Sequence, residues 1–137
     1  MQIEITLPGR PITKKNSQVV VKARTREGKT YHRPIPSQAY QAYEEECLWR
    51  LKTYRGPRFK ETPCNLQAIY WMPDRRSWPD LLGLLQSTAD ILEEAKIIDN
   101  DKHFVSFDGS RIAGVDKHNP RVEITITEVE NDDKRVS

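Results

Sequence analysis

The chain has 137 residues, which suits one compact domain, and its content of 36% hydrophobic and 31% charged residues excludes a fibrous or largely disordered protein. No apolar run approaches the ~20 residues of a membrane span and nothing near Met1 has the order of a signal peptide, so we expect a cytoplasmic protein with no membrane partner. The net charge of +2 is unevenly distributed, since residues 1–60 carry 13 Lys/Arg against 5 Asp/Glu and residues 61–137 carry 9 against 15. Basic surface attracts phosphate backbones and clustered carboxylates attract divalent cations, although such an asymmetry can also serve solubility alone.

The first part of the chain predicts a strand, a hairpin and a helix. QIEITLPG alternates apolar and polar residues and stops at Pro8, which is typical of a strand. The segments QVVVKART and KTYHRPI flank Glu27 and Gly28, a pattern that predicts a hairpin with a basic tip. After Ser37, apolar residues recur at spacings of three and four, which predicts an amphipathic helix over about 37–53.

The second part predicts a buried strand, a second helix and three further strands. CNLQAIYWM is rich in β-branched and aromatic residues, HFVSFD and RIAGV predict short strands around Gly109, and RVEITITEV predicts a final strand. Strands that precede, separate and follow two helices without a regular βαβ order predict a single α+β domain with a mixed sheet and two main helices. From Asp80 a wide apolar stripe predicts a helix over about 80–95, whose opposite side carries Gly83, Gln86, Ser87, Asp90 and Glu94.

Asp80 is a charged residue at the head of this leucine-rich helix. Helix capping would explain it, because a carboxylate there accepts backbone N–H bonds and complements the helix dipole, a contribution of ~1 kcal/mol. Capping does not explain the acidic turn with Asp99 and Asp101 just after the helix. Magnesium takes one or two protein carboxylates with waters and substrate phosphate, so both elements together would suffice if the chain folds back along the helix or a second subunit contributes. Asp90 would lie ~15 Å from Asp80 on a straight helix, too far to share one ion with it.

The order of these features resembles the RusA-like Holliday junction resolvases of phages and prophages. The matching features are GRPITKKNS, the helix start PSQAYQAYEEE, the paired arginines before the aspartate in RRSWPDLLGLLQSTADIL, and the acidic turn IIDNDKHF. The resemblance covers residues 1–129 and leaves 130–137 as a polar tail. It implies a small homodimeric α+β endonuclease that uses Mg²⁺ to nick two opposed strands of a four-way DNA junction in recombination and repair.

The resemblance also implies which residues form the site. Asp80 falls on the family's first aspartate and Asp101 on its later essential aspartate, and both would hold Mg²⁺. Asp99 would be a third ligand or a water-orienting group. The side chains that would contact DNA are mostly basic and lie in three short segments: Lys14, Lys15, Asn16, Arg75, Arg76 and Lys102.

Three positions depart from the family's pattern. Where the family has a second aspartate, an asparagine and a lysine, this chain has Leu82, Gly83 and Gln86. The changes remove one metal ligand and one cation that would stabilise negative charge on the phosphate. The candidate substitutes are Asp99, Asp90 or Asp108 for the carboxylate, and Lys102 or Arg76 for the cation.

Three classes of function stay open on the sequence. An active nuclease is favoured, because Asp80, Asp99 and Asp101 form a sufficient minimal magnesium set. A non-catalytic protein that recognises branched DNA would keep the basic half and the dimer but would show no magnesium-dependent nicking. An α+β interaction module with incidental DNA affinity is the third class, and it would lack the steep salt dependence of true backbone binding.

Overall fold

A computed structural model describes residues 1–14 and 18–130 of the chain. Within these residues it contains seven strands and two α-helices, and a short 3-10 turn, Asp101–His103, follows the second helix. None of the helices formed by these residues has the length and apolar character that crossing a membrane requires. The elements are β1 Gln2–Pro8, β2 Gln18–Arg24, β3 Thr30–Pro36, α1 Gln38–Leu51, β4 Cys64–Met72, α2 Leu81–Glu94, β5 Phe104–Ser106, β6 Arg111–Val115 and β7 Arg121–Glu128.

Five of the strands form one mixed sheet. β7 lies between β1 and β4 and is antiparallel to both, while β5 and β6 run parallel to β4 along its other edge. The pairs Ile3–Ile126 and Ala68–Ile124 are in register, so the apolar residues of three strands share one face. The predicted α+β class with a mixed sheet and two helices is therefore confirmed. The predicted hairpin is confirmed as well, since β2 and β3 pair antiparallel with each other, but they form a separate two-stranded sheet.

The two helices supply the other half of the hydrophobic core. α1 begins after Ser37, whose Oγ accepts a hydrogen bond from the backbone N of Tyr40 at 3.2 Å. α2 begins after Asp80, and its apolar stripe packs into the same buried cluster as the inner face of the sheet. Both helices lie within two residues of the predicted limits, 37–53 and 80–95. Between α2 and the sheet, the hydroxyl of Tyr70 is hydrogen-bonded to Oγ1 of Thr88 at 2.7 Å.

The chain reverses direction immediately after α2. Lys96 has a left-handed backbone with φ of 61°, and the guanidinium of Arg58 donates to the carbonyls of Ala95 and Lys96 at 2.9 and 3.0 Å. The following residues pair with Phe59, whose N donates to the carbonyl of Ile97 at 2.9 Å. The acidic turn is thereby carried back along α2, which is the arrangement that a site shared between Asp80 and this turn would require.

Candidate active site

Asp80 caps α2 and also presents an exposed carboxylate at the helix head. Its Oδ2 accepts a hydrogen bond from the backbone N of Gly83 at 3.0 Å. A Cβ on Gly83 would lie 2.9 Å from Oδ1 of Asp80 and 3.0 Å from Cγ2 of Thr13. A larger residue at this position would therefore displace the Asp80 carboxylate or Thr13. The capping interpretation is confirmed, and the exposure of Asp80 leaves the carboxylate accessible from solvent.

The segment before the hairpin lies along α2. Thr13 is buried beside Gly83, and the backbone N of Lys14 donates to Oγ of Ser87 at 3.1 Å. The sequence places Ser87 on the side of α2 opposite the apolar stripe, yet Ser87 is only 4% exposed. The segment with Thr13 and Lys14 packs over Ser87 and buries it. The apolar residues Pro11 and Ile12 in that segment were the signal in the sequence that it packs against the protein. Lys15 and Asn16, both predicted to bind DNA, lie outside the described residues.

Asp101 faces the middle of α2. Its backbone N donates to Oε1 of Glu93 at 2.7 Å, which fixes the 3-10 turn against the helix. Asp101 also lines a hollow of about 230 Å³ beside α2, together with Leu82, Leu85, Gln86, Ala89 and Phe107. Positions 82, 86 and 101, which the resemblance singles out, are therefore neighbours, but Leu82 and Gln86 carry no charge.

Asp90 lies one helical turn beyond Gln86 and is linked to it. Nε2 of Gln86 donates to Oδ1 of Asp90 at 3.0 Å. Partial burial raises the pKa of Asp90 above its usual range, the Gln86 hydrogen bond opposes this, and the neighbouring Asp101 carboxylate raises it further. The ammonium of Lys14 acts in the opposite direction. Asp90 therefore lies within electrostatic reach of both Asp101 and Lys14.

The other two predicted carboxylates have different surroundings. Oδ2 of Asp99 accepts a hydrogen bond from the backbone N of Glu61 at 3.0 Å, and Oδ1 lies 3.6 Å from Nε2 of His103. Asp108 is exposed in the turn between β5 and β6, where its backbone N donates to Oδ1 of Asn65 at 2.8 Å. The ligand roles of Asp99 and Asp108 stay predictions, and for Asp99 the contacts with Glu61 and His103 offer a structural role as the alternative.

Magnesium is the metal that the sequence predicts for these carboxylates, and it makes few demands on the protein. Within residues 1–14 and 18–130, no group of three His, Cys, Asp or Glu side chains converges closely enough to hold a metal ion. Magnesium does not need such a group, because it keeps several waters and takes one or two protein carboxylates with substrate phosphate. The carboxylates of Asp101 and of Asp80 or Asp90 are hard oxygen donors of this kind, and their role as metal ligands stays a prediction.

Basic side chains lie on the segments that lead into α2 and away from it. Arg75 and Arg76 are exposed in the loop before α2. The backbone N of Arg76 donates a hydrogen bond to Oδ1 of Asp74 at 2.9 Å. Lys102 is exposed in the turn that carries Asp101, with its backbone N donating to Oδ1 of Asn100 at 2.9 Å. These positions are compatible with phosphate contacts on either side of the acidic residues.

We expect Asp99→Ala to reduce stability and not nicking activity. The substitution removes the acceptor for the Glu61 amide, a loss of about 1 kcal/mol in the free energy of unfolding. Urea denaturation measures that loss, and nicking of a DNA junction measures activity. Asp99→Asn is the matched control, because an amide oxygen can still accept the Glu61 hydrogen bond. A large loss of nicking in both variants would support the predicted role of Asp99 as a metal ligand.

Comparison with known protein families gives one match. The family model described as endodeoxyribonuclease RusA matches residues 8–127 of the chain, a range that includes both helices and both acidic elements. No curated protein matches the chain.

Proposed function

Because the chain belongs to the RusA endodeoxyribonuclease family, we propose that it is a magnesium-dependent endonuclease that resolves four-way (Holliday) junctions by paired nicks. The observation that carries the proposal is the reversal of the chain after α2. It brings Asp101 alongside the helix that Asp80 begins, within the range that the family model matches. The cytoplasmic location and the domain boundary at residue 129 stay predictions from the sequence.

The acidic and the basic residues near α2 would have different roles in phosphodiester hydrolysis. Asp101 and Asp80 would hold Mg²⁺, each with its carboxylate next to a fixed backbone, since Asp101 is tied to Glu93 and Asp80 caps the helix. When bound, the ion polarises a phosphate oxygen and lowers the pKa of a coordinated water. Arg75 and Arg76 would contact the phosphates that lead into the site, which positions the strand without reading its sequence.

A homodimer is part of the proposal. Two opposed strands of a four-way junction are related by a two-fold axis, so a pair of identical sites in a symmetric dimer would match its geometry. Two exposed apolar side chains line the hollow, Leu82 at 77% and Phe107 at 41% exposure, and a second protomer would cover such surface.

The proposal is tested by incubating the full chain with a synthetic four-way junction or a matched linear duplex, in Mg²⁺ or EDTA. We expect paired, symmetric nicks on the junction in Mg²⁺ and none in EDTA. Junction binding without nicking would support the second candidate, a branched-DNA-binding protein that has lost part of the catalytic site. The uncharged residues Leu82 and Gln86 in the hollow favour that candidate.

Asp80→Asn separates the capping role of this residue from metal binding. Asparagine caps a helix about as well as aspartate, so the midpoint of urea denaturation should not change. The loss of the charge of one of the two proposed ligands should lower the nicking rate by at least ~100-fold, the upper end of the range seen when groups that only support metal ligands are removed. Single-turnover nicking of the junction measures this. Unchanged nicking would assign Asp80 to capping alone.

A further inference from the structure

An exposed tryptophan lies in the loop between β4 and α2, two residues before Asp80. Trp78 is 40% exposed, yet its indole Nε1 donates a hydrogen bond to the carbonyl of Asp74 at 2.6 Å. The one polar atom of the side chain is therefore satisfied inside the loop. What the side chain offers to a ligand is its apolar aromatic surface.

The backbone around Trp78 is restricted on both sides. Ser77 before it has a left-handed backbone with φ of 48°, and Pro79 after it confines Trp78 itself to extended conformations. The side chain of Asp74 stabilises the start of the loop, because its Oδ1 accepts the backbone N of Arg76 at 2.9 Å. The indole is thus held in place before a ligand arrives, which lowers the entropic cost of binding.

Three arginines lie in this loop or next to it. Arg75 and Arg76 belong to the loop and are exposed. Arg10 is also exposed, and its Nη1 lies 3.8 Å from Oδ2 of Asp74. Against these positive charges stand Asp74 and, at the helix head, Asp80, which the proposed function assigns to the metal. The surface around the ring therefore complements a phosphate backbone.

An aromatic ring among arginines is the combination that binds unpaired nucleotides, since the base stacks on the ring and the cations contact the phosphates. A base inside a duplex is already stacked between its neighbours, so a base must leave the stack to bind in this way. The Cα atoms of Trp78 and Asp80 lie at most ~7 Å apart, because they are two residues apart along the chain. A base on Trp78 would belong to a nucleotide close to the phosphate at the proposed metal site.

Resting on the proposed function, we propose that Trp78 stacks on an unpaired base at the centre of branched DNA and thereby makes the enzyme prefer junctions to linear duplex. Arg75 and Arg76 contact the phosphates of either substrate, so they supply affinity without preference. Trp78 adds affinity where strands exchange and bases can leave the stack. It determines specificity and takes no part in the hydrolysis itself.

Substitutions at position 78 separate stacking from simple apolar contact. Binding of a synthetic four-way junction and of a linear duplex with the same arm sequence is measured in EDTA for the full-length wild type, Trp78→Leu and Trp78→Phe. Trp78→Leu keeps an apolar side chain without a π-face, so junction binding should weaken by ~5- to 150-fold, the equivalent of one stacked base, with duplex binding unchanged. Trp78→Phe keeps a ring and loses the hydrogen bond to Asp74, so it should retain most of the preference.

Two further variants are matched controls. Trp49→Leu removes another exposed tryptophan, at 67% exposure, and should bind both substrates as the wild type does. The ammonium of Lys52 lies 5.7 Å from the centre of the Trp49 ring, and Lys52 lines a hollow with Glu94, at the other end of α2 from Trp78. Arg76→Gln should weaken the binding of junction and duplex by the same factor and reduce the salt dependence of both, because its contacts are with phosphates.

The base itself can be observed with 2-aminopurine, a base analogue whose fluorescence falls when it stacks. With the analogue at the point of strand exchange, its emission should be higher in the complex with Trp78→Leu than in the complexes with the wild type or Trp78→Phe. Equal emission in the three complexes, or an unchanged junction preference in Trp78→Leu, would overturn the inference. So would a preference that Trp78→Leu loses only through a loss of dimer in sedimentation, since Trp78 would then contact a second protomer.

The two proposals can fail separately, because these binding measurements need no metal. If the wild type nicks the junction in Mg²⁺ and Trp78→Leu keeps the wild-type preference, the role of Trp78 fails and the proposed function stands. If Trp78→Leu loses the preference but the wild type never nicks, the nuclease proposal fails and the recognition of branched DNA by Trp78 stands. A wild type that binds junction and duplex equally would also overturn the inference.

Discussion

Asp101→Asn is expected to abolish metal-dependent nicking while the protein stays folded and still binds the junction. The variant keeps the shape of the side chain and the backbone hydrogen bond to Glu93, and it loses only the charge that faces the hollow beside α2. Groups that merely support metal ligands cost ~10- to 100-fold when removed, so a direct ligand should cost more than ~100-fold in nicking rate. Asp101 has the largest expected effect because it belongs to both candidate ligand pairs, the one with Asp80 and the one with Asp90.

The measurement is single-turnover nicking with enzyme in excess, so that product release does not limit the rate. Junction binding is measured separately in EDTA. Without a metal ion, the affinity for the junction reports on the contacts of the protein with DNA and not on metal binding by Asp101. Glu94→Gln is the control, since it removes an exposed carboxylate from α2, the helix against which the turn of Asp101 packs. If Asp101→Asn nicks within tenfold of the wild type, roughly 1.4 kcal/mol of transition-state stabilisation, Asp101 is not a metal ligand.

Residue patterns predicted the elements because each is determined locally. The alternation in β4 places five side chains on the buried face, and the stripe of α2 begins at a residue that can cap it. Both features depend on neighbours within a few positions. The Asp80 cap was predictable for the same reason, because its partner, the backbone N of Gly83, lies three residues away.

The candidate site was less predictable because it depends on contacts between distant parts of the chain. Lys14 and Ser87 are 73 residues apart, and no periodicity connects them. Asp99 and Asp101 belong to one acidic turn, yet Asp99 binds the backbone of Glu61 while Asp101 is held against α2. The left-handed backbone of Lys96 and the hydrogen bonds between Phe59 and the reversing chain set the path of this turn, and neither can be read from the residue pattern.

Leu92→Ala should destabilise the protein by about 3 kcal/mol in the free energy of unfolding, within the range of 2–5 kcal/mol for buried leucines. Leu92 is 0% exposed and belongs to the core cluster that α2 shares with the sheet. Truncation leaves a cavity because close-packed neighbours relax only in part. Urea denaturation with an unchanged m-value would measure the loss directly.

Leu82→Ala makes the same chemical change ten residues earlier on the same helix. Leu82 is 77% exposed, so the protein alone should lose less than ~0.5 kcal/mol. The comparison also tests the proposed dimer, because a second protomer that covers Leu82 would make the loss larger and dependent on protein concentration. Equal, concentration-independent losses in the two variants would contradict the assignment of Leu92 to the core and Leu82 to the surface.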